Sequence, residues 1–547
     1  MNLMIHLRGL IVILSCKIFK GGFISKAEDL TMILAKRTIN TVILSEIIIY
    51  SVAWSYISLS EFYSLHAYVY DTGLNMQTLW SILYTHWTAY TFFKYFMYSG
   101  LEVIFSPLLL FHSYPLLYVV VTVALALPVI PIFKIAHTVL KNDLVALLIS
   151  SSYLIYFPLA GENWFAFHFQ SFFIIFFLLG YSYYLEDKIK LSLLFFLLSA
   201  IVTYPLSIFP LMFSLTEIAN LRLSNKIKIT ETRKMNFLII LTFISFILLL
   251  SGYLTSSVSA LGGELHVPTL GIIAAIHYNI GNKIYTIELL LIPILFINIL
   301  SPRWLLFLLP YVGALFLSTV FGGYQYPFYT GGHYFFLIIP FVYIGMIYGV
   351  SNFGRIVSSL KKRVSALKRI NPKKANSTVS IVIIIFVLIL IFSLFYQPYG
   401  PLNKYTTDNY DIGSNINVNM TLYYDVLAVE ELIPANTSLT TILIQDDLPT
   451  VLPKPTNDPY QYAFVPVLVN LSNWNNLSVI NENRFPINPP NGNGINFTTI
   501  QYVIGYKGSW LYYAGNPSMY EIYNQMLKSN HYTQVIDISG VFLLKRN

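Results

Sequence analysis

The chain has 547 residues, 56% of them hydrophobic and only 11% charged, against roughly 25% charged in an ordinary soluble domain. So few charges cannot make a water-soluble surface, and the formal net charge of +8 does not call for a nucleic-acid partner, because the basic residues sit in short loops between apolar runs. The single cysteine, Cys16, excludes an intramolecular disulfide and any cysteine-based metal centre.

Residues 1–37 open with MNLMIHLRGLIVILSCKIFKGGF, a basic residue and a short apolar core without a clean small-residue cleavage site. They are expected to form a cytoplasmic N-terminal segment. From there to residue 396 apolar runs recur, each long enough to cross a hydrocarbon core of about 30 Å as a helix. Helices are the expected form because lipid cannot satisfy open backbone groups. About eleven spans can be drawn, at 38–58, 115–133, 143–160, 168–185, 191–203, 205–218, 236–254, 284–300, 304–321, 333–350 and 378–396. The fifth and sixth are short and read as one unit bent around Pro205.

Charge then sets the orientation. With the N terminus inside, the inner loops collect 24 of the 33 basic residues, the outer loops hold only Lys94 and Lys283, and the other seven fall in the C-terminal tail. Positive residues gather on the cytoplasmic side of membrane proteins, so this orientation is the expected one. An odd number of spans places the tail outside.

The first outer loop, 59–107, is long, aromatic and amphipathic, and is expected to lie along the membrane interface. It contains AYVYDTGLNMQTLW, with Asp71 just outside the first span and Gln77 and Trp80 at helical spacing beyond it. A carboxylate at the edge of an apolar protein can serve as a general base; the ordinary role for Asp71 is a helix N-cap. The topology brings further polar residues to the same face: Glu162, Asn163, His168 and Gln170 around the start of the fourth span, Glu264, His266 and His277 before the eighth, and Tyr324, Gln325, Tyr326, Tyr329 and His333 before the tenth. Ionisable groups inside spans are costly and mark function by default. Glu46 in the first span and Glu288 in the eighth either line a cavity or pair with a polar group on another helix.

Beyond residue 396 the composition turns to Asn, Pro, Thr, Asp and Tyr, with short apolar runs in SLTTILIQ, YAFVPVLV, TIQYVIGY and GVFLLKR. These read as strands of a soluble extracytoplasmic domain, 397–547, of α/β or mainly β type. Sequons at Asn419, Asn436, Asn470, Asn476 and Asn496 agree with an outside position. No Walker loop, dinucleotide fingerprint, HExxH or GxSxG is present, so nucleotide hydrolysis and the commoner hydrolase chemistries have no support.

YDTGLNMQTLW, from Tyr70 to Trp80, resembles the Tyr-Asp-Leu-Gly-x-Phe-Asp-Gln-x-x-Trp motif of the membrane-protein family called domain of unknown function 2079, which is grouped with the class C glycosyltransferase fold. Asp71, Gly73, Gln77 and Trp80 carry over. FSPLLL from Phe105, the Phe-x-Phe-His element at Phe165 to His168, SPRWLLFLLP from Ser301 and HYFFLIIPF from His333 extend the resemblance from about Arg37 onward. The chain departs from the family at Met76 and Ala166, each in the place of an acid, at Ile104 in the place of a His, at Gln170 in the place of a Glu, and at Thr203, Tyr204 and Pro205, where Lys-Glu-Asp is expected.

The resemblance implies a polytopic α-helical bundle of the class C glycosyltransferase type. It also implies transfer of a sugar from a polyprenyl or dolichyl phosphate to an acceptor hydroxyl at the outer face of the bilayer. Asp71 would be the base, His168 and His333 would orient donor or acceptor, and Gln77, Trp80, Glu162, Gln170, Lys94, Lys283 and Tyr329 would line the substrate site. A divalent metal, Mg or Mn, held by Asp71 and Glu162 is one way to meet the charge of the departing phosphate; Lys94, Lys283 or a protonated His is another. Two other readings stand beside it: a noncatalytic descendant of the fold that binds a lipid or glycan and presents its outer domain, and a transporter.

Overall fold

The computed structural model describes residues 25–63, 100–111, 114–164, 168–223, 229–261, 271–317, 333–368, 377–397, 400–403, 420–434, 442–445, 462–464, 501–507 and 519–547, with single positions 79, 82, 96 and 437. The first helix, α1 (Ser25–Tyr63), shows what solvent the chain is built for. Ile39, Ile43, Ile47, Tyr50 and Trp54 recur every three or four residues and are buried, while Leu44, Ile48, Ile49 and Val52 stand exposed. A helix that packs one apolar stripe on protein and leaves its other face equally apolar is suited to lipid.

Next come α2 (Tyr114–Ala126) and α3 (Val129–Leu140), one apolar unit interrupted at Leu127 and Pro128, where proline removes a backbone donor. Lys141, in the left-handed region at φ 53°, turns the chain back. The side chain of Asn142 caps α4 (Asp143–Leu154), accepting from the Val145 N–H at 3.1 Å, and α5 (Phe157–Trp164) continues it. Then follow α6 (Phe172–Leu185), α7 (Ile189–Ile201), α8 (Ile208–Leu223) and α9 (Ile229–Leu261). The 3-10 turn Tyr204–Ser207 carries the bend at Pro205 between α7 and α8.

Among the described residues, five helical stretches are long and apolar enough to cross a membrane: Arg37–Tyr63, Pro115–Leu140, Asp143–Trp164, Thr232–Leu254 and Thr378–Tyr396. Three shorter apolar helical stretches, Phe169–Leu185, Ile189–Ile201 and Pro302–Leu317, accompany them. The described residues thus form a mainly helical membrane protein, with fewer long continuous helices than the eleven drawn from hydropathy.

The clearest difference falls on the eighth and ninth of those spans. After α10 (Ile272–His277), α11 (Ile280–Leu291) ends at Pro293, and two 3-10 turns follow, Ile292–Ile294 and Ile297–Leu300. Leu295 and Phe296 between them are left-handed, at φ 55° and 51°. An apolar run reads as a span by composition alone, and composition does not register this break. The chain resumes with α12 (Pro302–Leu305), α13 (Leu309–Leu317), α14 (Ile339–Lys368) and α15 (Ser377–Tyr396). Gly349 on α14 lets the 297–300 turn approach, because a Cβ there would run into the Ile297 carbonyl.

Aromatic rings fill the interior where α6, α7, α8 and α14 meet. The ring centroids of Phe177 and Phe341 are 4.8 Å apart and those of Phe196 and Phe213 4.6 Å apart, within the range where such pairs attract beyond simple burial.

At the C terminus, α16 (Met420–Glu430) and α17 (Met519–Lys528) pack on a five-stranded sheet of order β2-β1-β3-β5-β4. Its strands are β1 (Ile442–Gln445), β2 (Tyr462–Phe464), β3 (Tyr502–Tyr506), β4 (Tyr532–Ile538) and β5 (Val541–Arg546). The first three run parallel and the last two join as an antiparallel hairpin. Ser539 and Gly540, at φ 52° and 92°, make its two-residue turn, a conformation that suits the strand twist. All four runs singled out in the sequence contain a strand. The fifth, β4, was not among them, because Tyr532–Ile538 alternates over a mostly exposed face. Tyr423 of α16 lies against Phe62 and Tyr63 at the end of α1, with ring centroids 6.0 and 5.2 Å away.

Candidate functional site

Glu162 is fully buried on α5. One carboxylate oxygen accepts the backbone N–H of Phe336 at 2.6 Å, and the other accepts the Ser171 hydroxyl at 3.3 Å. The first donor comes from the 3-10 turn His333–Leu337 that leads into α14, and the second from the turn Phe169–Ser171 that leads into α6. One carboxylate therefore fastens its own helix to the turns that open α6 and α14. A buried carboxylate requires such donors, because leaving it bare among apolar groups costs several kcal/mol, on the order of the desolvation of an ion.

Beside it, the Asn163 side-chain oxygen accepts the Thr122 hydroxyl of α2 at 2.9 Å. The Ser58 hydroxyl of α1 donates to the Asn163 backbone carbonyl at 3.5 Å. His168 is buried. Gln170 is half-buried, and its side-chain oxygen is buried with no hydrogen-bond partner. The Phe105 ring stacks on Phe169 at 5.2 Å, which brings the FSPLLL segment to the same place. Two acids overlooked in the sequence, Glu61 and Glu102, are also buried.

Of the residues expected to form the site, the structure thus gathers Glu162, His168 and Gln170, with the backbone of the His333 turn. Asp71, Gln77, Trp80, Lys94 and Tyr329 lie outside the described residues, and of His333 only the backbone is described. Lys283 is elsewhere: it is buried on α11, and its ammonium donates to the carbonyls of Ala275 at 2.6 Å and Phe316 at 3.0 Å, tying α10, α11 and α13 together. Glu46 pairs with a polar group on another helix, accepting the Ser151 hydroxyl of α4 at 2.7 Å. Glu288 is exposed on α11, and Glu264 and His266 lie outside the described residues.

Sequence reasoning missed Thr122 and Ser171, which hold the two acceptors in place. Ser171 was legible as the neighbour of Gln170. Thr122 stands alone in an apolar run, with nothing local to single it out.

The described part of the site does not fit a divalent metal. A hard cation needs several free oxygens around it, and both Glu162 oxygens face donors. Among the described residues, no three of His, Cys, Asp and Glu come together in a set that could hold a metal ion.

No curated protein matches the chain. A family described as predicted membrane proteins, domain of unknown function 2079, matches residues 61–443. That range takes in Asp71, Glu162, His168 and His333, stops within β1, and leaves the rest of the C-terminal sheet outside. It covers well over half of the 547 residues, and the chain belongs to this family of membrane proteins.

Proposed function

We propose that the chain is a glycosyltransferase-like membrane protein that moves a sugar from a polyprenyl or dolichyl phosphate to an acceptor hydroxyl at the outer face of the bilayer. The observation that carries the reading is the junction at Glu162, which bonds Phe336 of HYFFLIIPF and Ser171 just beyond the Phe-x-Phe-His element, with Phe105 of FSPLLL stacked on Phe169 beside it. In this reading the eleven-span topology holds, the N terminus is cytoplasmic, and the C-terminal sheet lies outside and meets the acceptor.

Asp71 takes the proton of the acceptor hydroxyl as its oxygen attacks the anomeric carbon. The bond from that carbon to the lipid phosphate oxygen breaks, and the phosphate leaves with the bonding electrons. Its charge is met by Lys94 and by His168 and His333 as donors; no step runs through a metal. Lys283, committed to two carbonyls, acts by positioning α11 rather than by touching phosphate. Glu162 is likewise a positioning residue, fixing the turns that carry His168 and His333. Gln77, Trp80, Gln170 and Tyr329 line the pocket.

A noncatalytic descendant that binds a lipid or glycan is the second reading. It is favoured by Gln170, whose buried oxygen stands where the family has an acid, and by the replacement of two further acids at Met76 and Ala166.

The test is transfer of radiolabelled sugar from membrane polyprenyl-phosphate donors by purified protein, beside Asp71→Asn. Transfer by wild type that falls by roughly a hundredfold or more in Asp71→Asn, the scale of a lost general base, is the expected result. Undiminished turnover in that variant removes Asp71 from the mechanism. Donor binding without turnover across a broad panel establishes the second reading instead.

A further inference from the structure

Two contacts fix how α1 runs beside α4 and α5. Glu46 meets Ser151, and Ser58 meets Asn163; both pairs are 105 residues apart in sequence. The two stretches therefore run parallel and in step over twelve residues, about 18 Å at the helical rise. Tyr50 lies between the two contacts on the same side of α1 as Glu46, one turn further along. Its hydroxyl comes within reach of the Asn163 side chain and of the charge of Glu162, and Tyr153 of α4 adjoins it.

Three polar atoms along this seam are buried without a completed hydrogen bond: the second carboxylate oxygen of Glu46, the Tyr50 hydroxyl and the Asn163 amide nitrogen. Among the described residues no cation pairs with Glu46. Lipid cannot supply a partner to atoms enclosed by protein, and each unmade bond costs about 1–3 kcal/mol. Buried polar atoms that lack protein partners are ordinarily bridged by internal water, which needs two to four polar neighbours.

We propose that the seam between α1 and the α4–α5 stretch is a hydrated proton path, in which water bridges Glu46, Tyr50 and Asn163, with Glu46 as the neutral carboxyl acid at its inner end and Glu162 beside its outer end. Protonation gives the second oxygen of Glu46 an O–H to donate into the file, while Ser151 still donates to the first. A proton released from Glu46 passes to the adjoining water as that water passes one on through the Tyr50 hydroxyl. The Glu162 carboxylate receives a proton at the far end, leaving Glu46 ionised and Glu162 neutral. None of this depends on sugar transfer.

Infrared difference spectroscopy of the purified full chain at neutral pH tests it. The wild type should show a protonated-carboxyl stretch that is lost in Glu46→Gln, moves down on transfer to D2O, and does so more slowly in Tyr50→Phe. In Ser151→Ala the same band should move up as it loses its donor, which identifies Glu46 independently of the Gln variant's folding. The absence of any band sensitive to either substitution means that Glu46 is ionised, and a band that D2O leaves in place means that the seam is dry; either result overturns the proposal.

Discussion

Two of the buried carboxylates, Glu162 and Glu217, lie at different levels of the same helices and are held in different ways. Glu162 sits where α6 and α14 begin and is held by a backbone N–H and a hydroxyl. About three turns further along those helices, where Tyr181 and Tyr348 share a hydrogen bond of 2.7 Å, Glu217 of α8 forms an ion pair with Arg303, which also lies over the Trp304 ring. The ion pair meets charge with charge, although the Arg303 Nε stays buried without a hydrogen-bond partner. A carboxylate held by neutral donors has hydrogen bonds but no opposite charge beside it. FSPLLL, the Phe-x-Phe-His element and HYFFLIIPF fall at the Glu162 junction, whereas SPRWLLFLLP carries Arg303 of the ion pair.

The largest effect should come from Glu162. Glu162→Ala leaves the buried Phe336 N–H and Ser171 hydroxyl without their acceptor and should cost about 3–5 kcal/mol, two bonds to a charged group. Thermal unfolding in detergent should show a lowered midpoint, with proteolysis opening first near residues 333–337. A Glu162→Ala variant as stable as the wild type would break the comparison, because the three segments would then be held by something else.

The ion pair should respond asymmetrically. The Glu217 side chain is 10% exposed and that of Arg303 32%, so Arg303→Met strands a buried charge and should cost about 3 kcal/mol. Glu217→Gln, which strands an arginine that reaches solvent, should cost about 1 kcal/mol. Replacing both by Met should recover most of the loss, as apolar substitutes for a buried pair often do. Unfolding midpoints of the three variants check this, and equal losses in the two single variants contradict it.

These contrasts mark the limit of what the sequence could say. Hydropathy and loop charge are local sums, so the membrane class, the long apolar stretches around α1, α2–α3, α4–α5, α9 and α15, and four of the five C-terminal strands were legible. The break at Leu295 and Phe296 was not, because two large apolar residues carry no local signal of left-handed backbone. In the site, Glu162, His168 and Gln170 were legible as polar residues bordering apolar runs. The pairing of Glu162 with Phe336 was not, since its donor is a backbone N–H and carries no side-chain signature. Glu217 and Arg303 are 86 residues apart, and only the fold brings them together.

A third pair, on the C-terminal sheet, extends the comparison to water. Lys507 bonds Asp537, and its ammonium lies over the Tyr523 ring at 3.8 Å, with 21% and 26% of the two charged side chains exposed. Burial pulls the lysine pKa down, and the hydrogen bonds and charges of Asp537 and Tyr523 outweigh it, so the value is raised. The sign follows: a raised folded value means that the pair stabilises fully below the ordinary lysine pKa of about 10.4 and loses that contribution as pH rises through the folded value. Solvent screening keeps the contribution below about 1 kcal/mol. Limited proteolysis of the full chain across alkaline pH should therefore show the sheet loosening above that point in the wild type, with a weaker pH dependence in Lys507→Met. A wild-type profile identical to that of Lys507→Met means that the exposed pair contributes nothing. Energetic weight among the three pairs would then belong only to carboxylates taken out of water.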